Sequence, residues 1–263
     1  MTVEIPIHEL KQVAAEAARL GGEVTQSYFG RLSEFRHKKD AGLVTEADTS
    51  AEEKIISLIK ETYPRHSILA EETGIKETES NYTWVIDPLD GTTNFTHQIP
   101  IFCTSVALQK NKEIIVAAVF DPLRDHMYTA SKGEGAFLNG KPIKVSQEKQ
   151  VKECLFATGF AYQTGEHLGQ QLSYLKSFIE SSHGIRRSGS AVWDFCQVAC
   201  GHFDGFFESK LQPWDVAAGI LLVQEAGGTI TNYKNKPTTI HEQEIAASNG
   251  FIHEEMLKLL RTT

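Results

Sequence analysis

Apolar residues recur through residues 7–29 at Leu10, Val13, Ala14, Ala17, Leu20 and Val24, the period of a helix with one buried stripe. From about Gly30 to Gly42 that period breaks. The stretch there is polar with a basic centre, Arg36-His37-Lys38-Lys39, and reads as a loop or a flexible hairpin. Thr49-Ser50-Ala51-Glu52 then has the form of a capping box. The helix it introduces carries Ile55, Ile56, Leu58 and Ile59, and Pro64 closes it.

Between Ser67 and Ser146 the pattern shortens into apolar runs at Ser67–Ala70, Trp84–Ile86, Thr104–Leu108, Ile114–Phe120 and His126–Ala130. Turn-formers such as Lys110-Asn111-Lys112, Asp121-Pro122 and Asn139-Gly140 separate them, which predicts strands in meander or hairpin order. Beyond about residue 150, strands and helices alternate. Ser190–Cys200 and Asp215–Ala226 are the clearest helices, the second stopped by Gly227-Gly228. No repeat or linker interrupts the chain. The expectation is one unit over residues 1–263, built as layers of sheet and helix. Residues 1–150 form an antiparallel-rich α+β half and residues 151–263 an α/β half that carries Asp215.

Composition serves mainly to exclude. Hydrophobic content of 41% and charged content of 23% in 263 residues are ordinary for a globular protein with a sizeable core. No apolar run approaches the length of a membrane span, and the N-terminus lacks the pattern of a signal peptide. A cytoplasmic protein without membrane contact is expected. The four cysteines offer Cys196 and Cys200 on one helical face, but no second pair to complete a zinc site. They read as small buried residues of a reducing compartment. A net charge of −8 argues against a nucleic-acid surface. An anionic substrate would then need a local positive field.

The chemistry concentrates in Trp84–Phe95. A β-type run ends in Asp87-Pro88-Leu89-Asp90-Gly91-Thr92-Thr93-Asn94. Two carboxylates three residues apart across a proline-shaped turn, joined by a backbone carbonyl such as that of Leu89, give the all-oxygen set that hard cations such as Mg²⁺ prefer. Gly91-Thr92-Thr93 opens a short helix before Pro100, whose N-terminal amides suit a phosphate. Taken alone, Asp-x-x-Asp-Gly is ordinarily a turn, and Asp215 after Pro213-Trp214 is equally well an N-cap. Glu71-Glu72-Thr73, at the end of another apolar run, adds a further acid. Two other patterns carry no function. Gly135 to Lys141 matches part of a phosphate-binding loop, but Pro142 stands where that loop needs Ser or Thr. His253-Glu254-Glu255-Met256 lacks the second histidine of a zinc protease motif and lies on a C-terminal helix.

Five segments in order, Leu43-Val44-Thr45-Glu46-Ala47-Asp48, Leu69 to Thr73, Trp84 to Phe95, Arg187 to Ala191, and Trp214 to Gly219 with Glu225 to Gly228, resemble the inositol monophosphatase family. The resemblance spans nearly the whole chain. The segment Ala157 to Tyr162 looks more like that of bacterial members. The family belongs to a group of metal-dependent, lithium-sensitive phosphatases with an αβαβα sandwich. The resemblance implies hydrolysis of a small phosphate monoester by a metal-activated water, and a homodimer. It implies two to three Mg²⁺ ions: one at Glu71, Asp87 and the Leu89 carbonyl, a second at Asp87, Asp90 and Asp215, and a third at Glu71. Two carboxylates ~4 Å apart repel by about 4 kcal/mol at an effective dielectric of ~20, so such a cluster needs cations.

The resemblance further implies a catalytic set of Thr92, Asp48 and Glu71. Asp90, Gly91, Thr92, Arg187, Ser190, Ala191, Glu208 and Asp215 would contact substrate, and Lys39 would sit on a loop closing over the site. Inositol monophosphate is the leading substrate. Fructose-1,6-bisphosphate, histidinol phosphate and the 2′-phosphate of NADP remain open, as does a regulatory protein that keeps the fold and binds a partner.

Overall fold

The computed structural model describes residues 5–31, 36–37, 43–160 and 168–261. Helix α1 (Ile7–Tyr28) follows the predicted period and buries Leu10, Ala14, Ala17 and Ala18. Strands β1 (Arg36–His37) and β2 (Leu43–Val44) pair antiparallel, in agreement with the hairpin alternative. Lys39, expected on a closing loop, lies outside the described residues.

Helix α2 (Glu46–Thr62) starts earlier than the sequence pattern placed it. Its capping box is Thr45 with Asp48, not Thr49 with Glu52. Both pairs have the same spacing of hydroxyl and acid. The helix can start at only one of them, and tertiary contacts give Asp48 and Glu52 different partners.

Strands β3 (Ser67–Ala70), β4 (Gly74–Lys76) and β5 (Tyr82–Asp90) lead to the short helix α3 (Thr92–Thr96). Then follow β6 (Cys103–Lys110), β7 (Glu113–Asp121), β8 (His126–Ser131), β9 (Gly135–Leu138) and β10 (Lys141–Ile143). These form an eight-stranded sheet in the order β10-β9-β8-β7-β6-β5-β3-β4. It is antiparallel except between β3 and β5. The rest of the chain runs β11 (Leu155–Thr158), α4 (Leu168–Ser181), β12 (Gly184–Arg186), α5 (Ala191–Ala199), β13 (Gly205–Ser209), α6 (Pro213–Glu225), β14 (Thr229–Thr231), β15 (Glu244–Ser248) and α7 (His253–Leu259). Its strands form a second sheet, β12-β11-β13-β15-β14.

Strand alternation sorts the core into layers. Trp84 and Ile86 face α1 and α2, meeting Leu10, Ala17, Ile55 and Ile59. Val85, between them, faces the opposite way, into the cluster that holds Phe195 of α5 and Ile220 of α6. The second sheet repeats this. Ala157 and Phe206 join the α5–α6 cluster, while Phe156 and Phe207 pack beneath Tyr174, Phe178 and Met256 of α4 and α7. The stack is therefore helix, sheet, helix, sheet, helix. Sheets on both sides explain why α6 buries every residue from Val216 to Val223 and shows no polar stripe.

Candidate active site

The site begins with an irregularity in β5. Asp87 pairs with Ser105 and Asp90 with Cys103, so β5 has one residue more than β6 across this step. In a regular strand, residues three apart face opposite sides. The extra residue of a β-bulge restores them to the same side, and both acids line one cavity of about 560 Å³. The predicted turn is thus a bulge inside a continuous strand. Local bonds fix it: Asp87 Oδ1 accepts from the Leu89 amide at 3.0 Å, and Thr104 Oγ1 donates to the Pro88 carbonyl at 2.8 Å.

Gly91 follows at φ +94°, the left-handed region, and turns the chain directly into α3. A Cβ there would stand 2.9 Å from the Ile101 carbonyl oxygen. The Thr92 hydroxyl donates within reach of both Asp48 Oδ1 (3.1 Å) and the Leu89 carbonyl (3.0 Å). Asp48 Oδ2 meanwhile accepts from the Thr45 amide and hydroxyl at 2.7 and 2.6 Å. One buried carboxylate therefore caps α2 and holds Thr92.

Asp90 is steered by α5. Its Oδ2 accepts from the Ser190 hydroxyl at 2.5 Å and the Val192 amide at 2.8 Å. Burial raises the Asp90 carboxyl above the usual range, and the bonds from Ser190 and the α5 amides oppose that shift. Asp87 is raised well above the usual range, first by burial and then by the charges of Glu71, Asp90 and Asp215. Asp215 is raised well above it too, by burial and then by Glu71 and Asp90. It is the third residue of α6 rather than its N-cap, and its Oδ2 accepts from the Gln212 amide at 2.7 Å.

Glu71 leaves the end of β3, where its amide bonds the Ile86 carbonyl at 3.2 Å. The turn after it is held by Glu52, whose carboxylate accepts from the Glu72 and Thr73 amides, each at 2.8 Å. Glu52 was missed as a support of the site because a cap explained it locally.

The cavity gathers Glu71, Asp87, Leu89, Asp90, Gly91, Thr92 and Asp215 from the expected set. It also gathers Arg187, Ser190, Ala191 and Glu208, while Asp48 lies behind Thr92. Ser190 spends its hydroxyl on Asp90. Glu208 is raised to about 8, first by burial and then by the charge of Asp194, with Arg187 opposing. Gly159 makes room for it: a Cβ there would lie 2.1 Å from Glu208 Oε2. The sequence reading did not single out Asp194, which also lines the cavity. An acid within the apolar run Ala191-Val192-Trp193-Asp194-Phe195-Cys196 was the available signal.

Every donor on this floor is an oxygen, which fits a hard divalent cation rather than a soft one. Among the described residues no three His, Cys, Asp or Glu side chains are grouped tightly enough to hold a metal ion as they stand. Asp87, Asp90 and Asp215 are each tethered through one oxygen to a backbone amide, and the Glu71 and Asp87 carboxyl groups are hydrogen-bonded to each other. All four cysteines are free. Among the described residues no helix is long and apolar enough to cross a membrane.

A helix–sheet–helix–sheet–helix stack with this acid-floored cavity belongs to the phosphoric monoester hydrolases. Within that class, the chain belongs to the inositol monophosphatase family, whose model matches residues 7–263. It is 40% identical over 254 residues to the inositol-1-monophosphatase of Synechocystis, covering 96% of this chain and 88% of that one. It is also 40% identical over 256 residues to Nus factor SuhB of Pseudomonas aeruginosa, covering 95% of this chain and 94% of that one. The solved structure of inositol monophosphatase from Anabaena matches with a TM-score of 0.89 at 38% identity, covering 98% of this chain and 97% of that one.

Proposed function

We propose that this protein hydrolyses inositol monophosphate with Mg²⁺ as its cofactor, as a homodimer in the cytoplasm. The observation that carries this reading is the state of Asp87: it is buried, and the leading charges that act on it are those of Glu71, Asp90 and Asp215. Such a cluster is costly by itself, and a divalent cation with oxygen ligands offsets the cost. Glu71, Asp87 and the Leu89 carbonyl would hold one ion, and Asp87, Asp90 and Asp215 a second, with Glu71 serving a third. Bound there, the cations neutralise the acids and supply Lewis acidity toward water and phosphate oxygen.

The chain's own groups orient the reaction. The Thr92 hydroxyl takes a proton from the attacking water, and Asp48 Oδ1, 3.1 Å away, is the onward acceptor. The amides of Gly91 and Thr92 hold the phosphate oxygens. Ser190 and the Val192 amide keep the Asp90 carboxylate in place. Glu208 and Arg187 face the alcohol. Family membership and the naming of the Synechocystis relative support inositol phosphate over the other small esters.

The test measures phosphate release from inositol monophosphate, fructose-1,6-bisphosphate, histidinol phosphate and NADP, with Mg²⁺ and with chelator. Release from the inositol ester above the others, abolished by chelator and by Asp87→Asn, is expected. No Mg²⁺-supported hydrolysis of any ester would refute it.

The name of the Pseudomonas relative favours a second reading, in which the chain also acts through a macromolecular partner. Asp90→Asn separates the two. A cellular phenotype that survives loss of hydrolysis supports partner binding.

A further inference from the structure

Asp194 stands in the first half of α5, and only 1% of it is exposed. Its Oδ1 has no hydrogen-bond partner among the described residues, yet the residue lines the cavity. A desolvated carboxyl oxygen left unpaired is costly. Neither the packing of α5 nor the hydrolytic steps above make use of it. Its surroundings are polar and specific. The Ser188 hydroxyl bonds the carboxyl, and Arg187 acts on it electrostatically. Glu208, from β13, feels the charges of both Asp194 and Arg187. The cavity thus brings two carboxyl groups and a guanidinium within electrostatic reach of one another.

Hydroxyl groups match that set. A polyol offers several O–H donors at once, and two carboxyl groups can read two of them. A leaving group without hydroxyls leaves Oδ1 unpaired in the complex, the kind of mismatch a buried polar site rejects most strongly.

Resting on the phosphomonoesterase reading, we propose that Asp194 is a specificity-determining residue. Its carboxyl, turned toward the cavity as the alcohol enters, accepts a hydrogen bond from a hydroxyl of the alcohol portion, beside Glu208, and so selects polyhydroxylated phosphate esters over simple ones.

The test compares the parent with Asp194→Leu and Asp194→Asn, using inositol monophosphate and 4-nitrophenyl phosphate with Mg²⁺. Asp194→Leu removes the acceptor while keeping the branching of the side chain and should fold with a melting midpoint close to that of the parent, because relief of the unpaired oxygen offsets the lost bond from Ser188. Its KM for the inositol ester should rise about tenfold with a smaller change in kcat. Its KM for 4-nitrophenyl phosphate should move no more than about threefold. Asp194→Asn keeps one acceptor oxygen and should fall between, which preserves the test if the leucine variant misfolds.

In the parent, one deoxy-inositol phosphate should show the same rise in KM, and Asp194→Leu should be indifferent to that deletion. Equal changes with both esters in both variants would overturn the proposal while the hydrolase reading stands. So would indifference of the parent to every deoxy analogue. A parent that hydrolyses no ester overturns both.

Discussion

Replacing Glu208 by glutamine should change how stability depends on pH. Burial and the nearby Asp194 raise the Glu208 carboxyl from 4.5 to about 8, so the folded protein keeps a proton that the unfolded chain releases. The stabilising contribution is complete below pH 4.5 and is lost as pH rises to about 8. At about 1.36 kcal/mol per pH unit, the ceiling on that loss is on the order of 5 kcal/mol. The cavity gives solvent access to part of the side chain, which reduces the figure by about half, to roughly 2 kcal/mol. Urea unfolding of the parent and Glu208→Gln, with chelator, at pH 5, 6, 7 and 8 measures it. Asp87, Asp90 and Asp215 remain in both proteins, so most of their own pH dependence cancels in the difference. The variant should gain on the parent by roughly 2 kcal/mol between pH 5 and pH 8. Parallel curves, differing in slope by less than about 0.5 kcal/mol over that range, would refute the argument.

Three further outcomes follow from named contacts. Thr92→Val removes the hydroxyl between Asp48 and the cavity, and kcat with inositol monophosphate should fall about 10²-fold or more while KM changes little; an undiminished kcat rules out the Thr92–Asp48 relay. Glu52→Ala leaves the Glu72 and Thr73 amides without their carboxylate, and unfolding by denaturant should show a loss on the order of 2–3 kcal/mol; a loss under ~0.5 kcal/mol would show that water serves the turn as well. Gly159→Ala places a Cβ 2.1 Å from Glu208 Oε2 and must displace that carboxyl. Its KM for the inositol ester should rise, and its pH–stability curve should flatten toward that of Glu208→Gln.

Much of the architecture was legible in the chain. The stripe of α1, the strand runs and the apolar stretch of α6 are local signals, because each residue's burial repeats with the period of its own element. The donor chemistry was legible too: acids, a backbone carbonyl and no paired soft ligands at Asp87-Pro88-Leu89-Asp90. The start of α2 shows the limit. Thr45 with Asp48 and Thr49 with Glu52 have the same spacing, and the sequence pattern favoured the second. In the fold, Asp48 turns to Thr92 of α3 and Glu52 to the turn after β3.

By itself the sequence determined which elements form, which faces they bury, and that a hard-cation oxygen set was available, since those depend on neighbours within a few residues. Only the tertiary structure decided how the acids are aimed. The bulge that turns Asp87 and Asp90 to one side exists through pairing with β6. The bond that orients Asp90 comes from Ser190, 100 residues away. Asp194 faces the cavity because α5 is packed between two sheets with its first half at the cavity wall. Such convergence depends on which buried faces meet, and no local period records it.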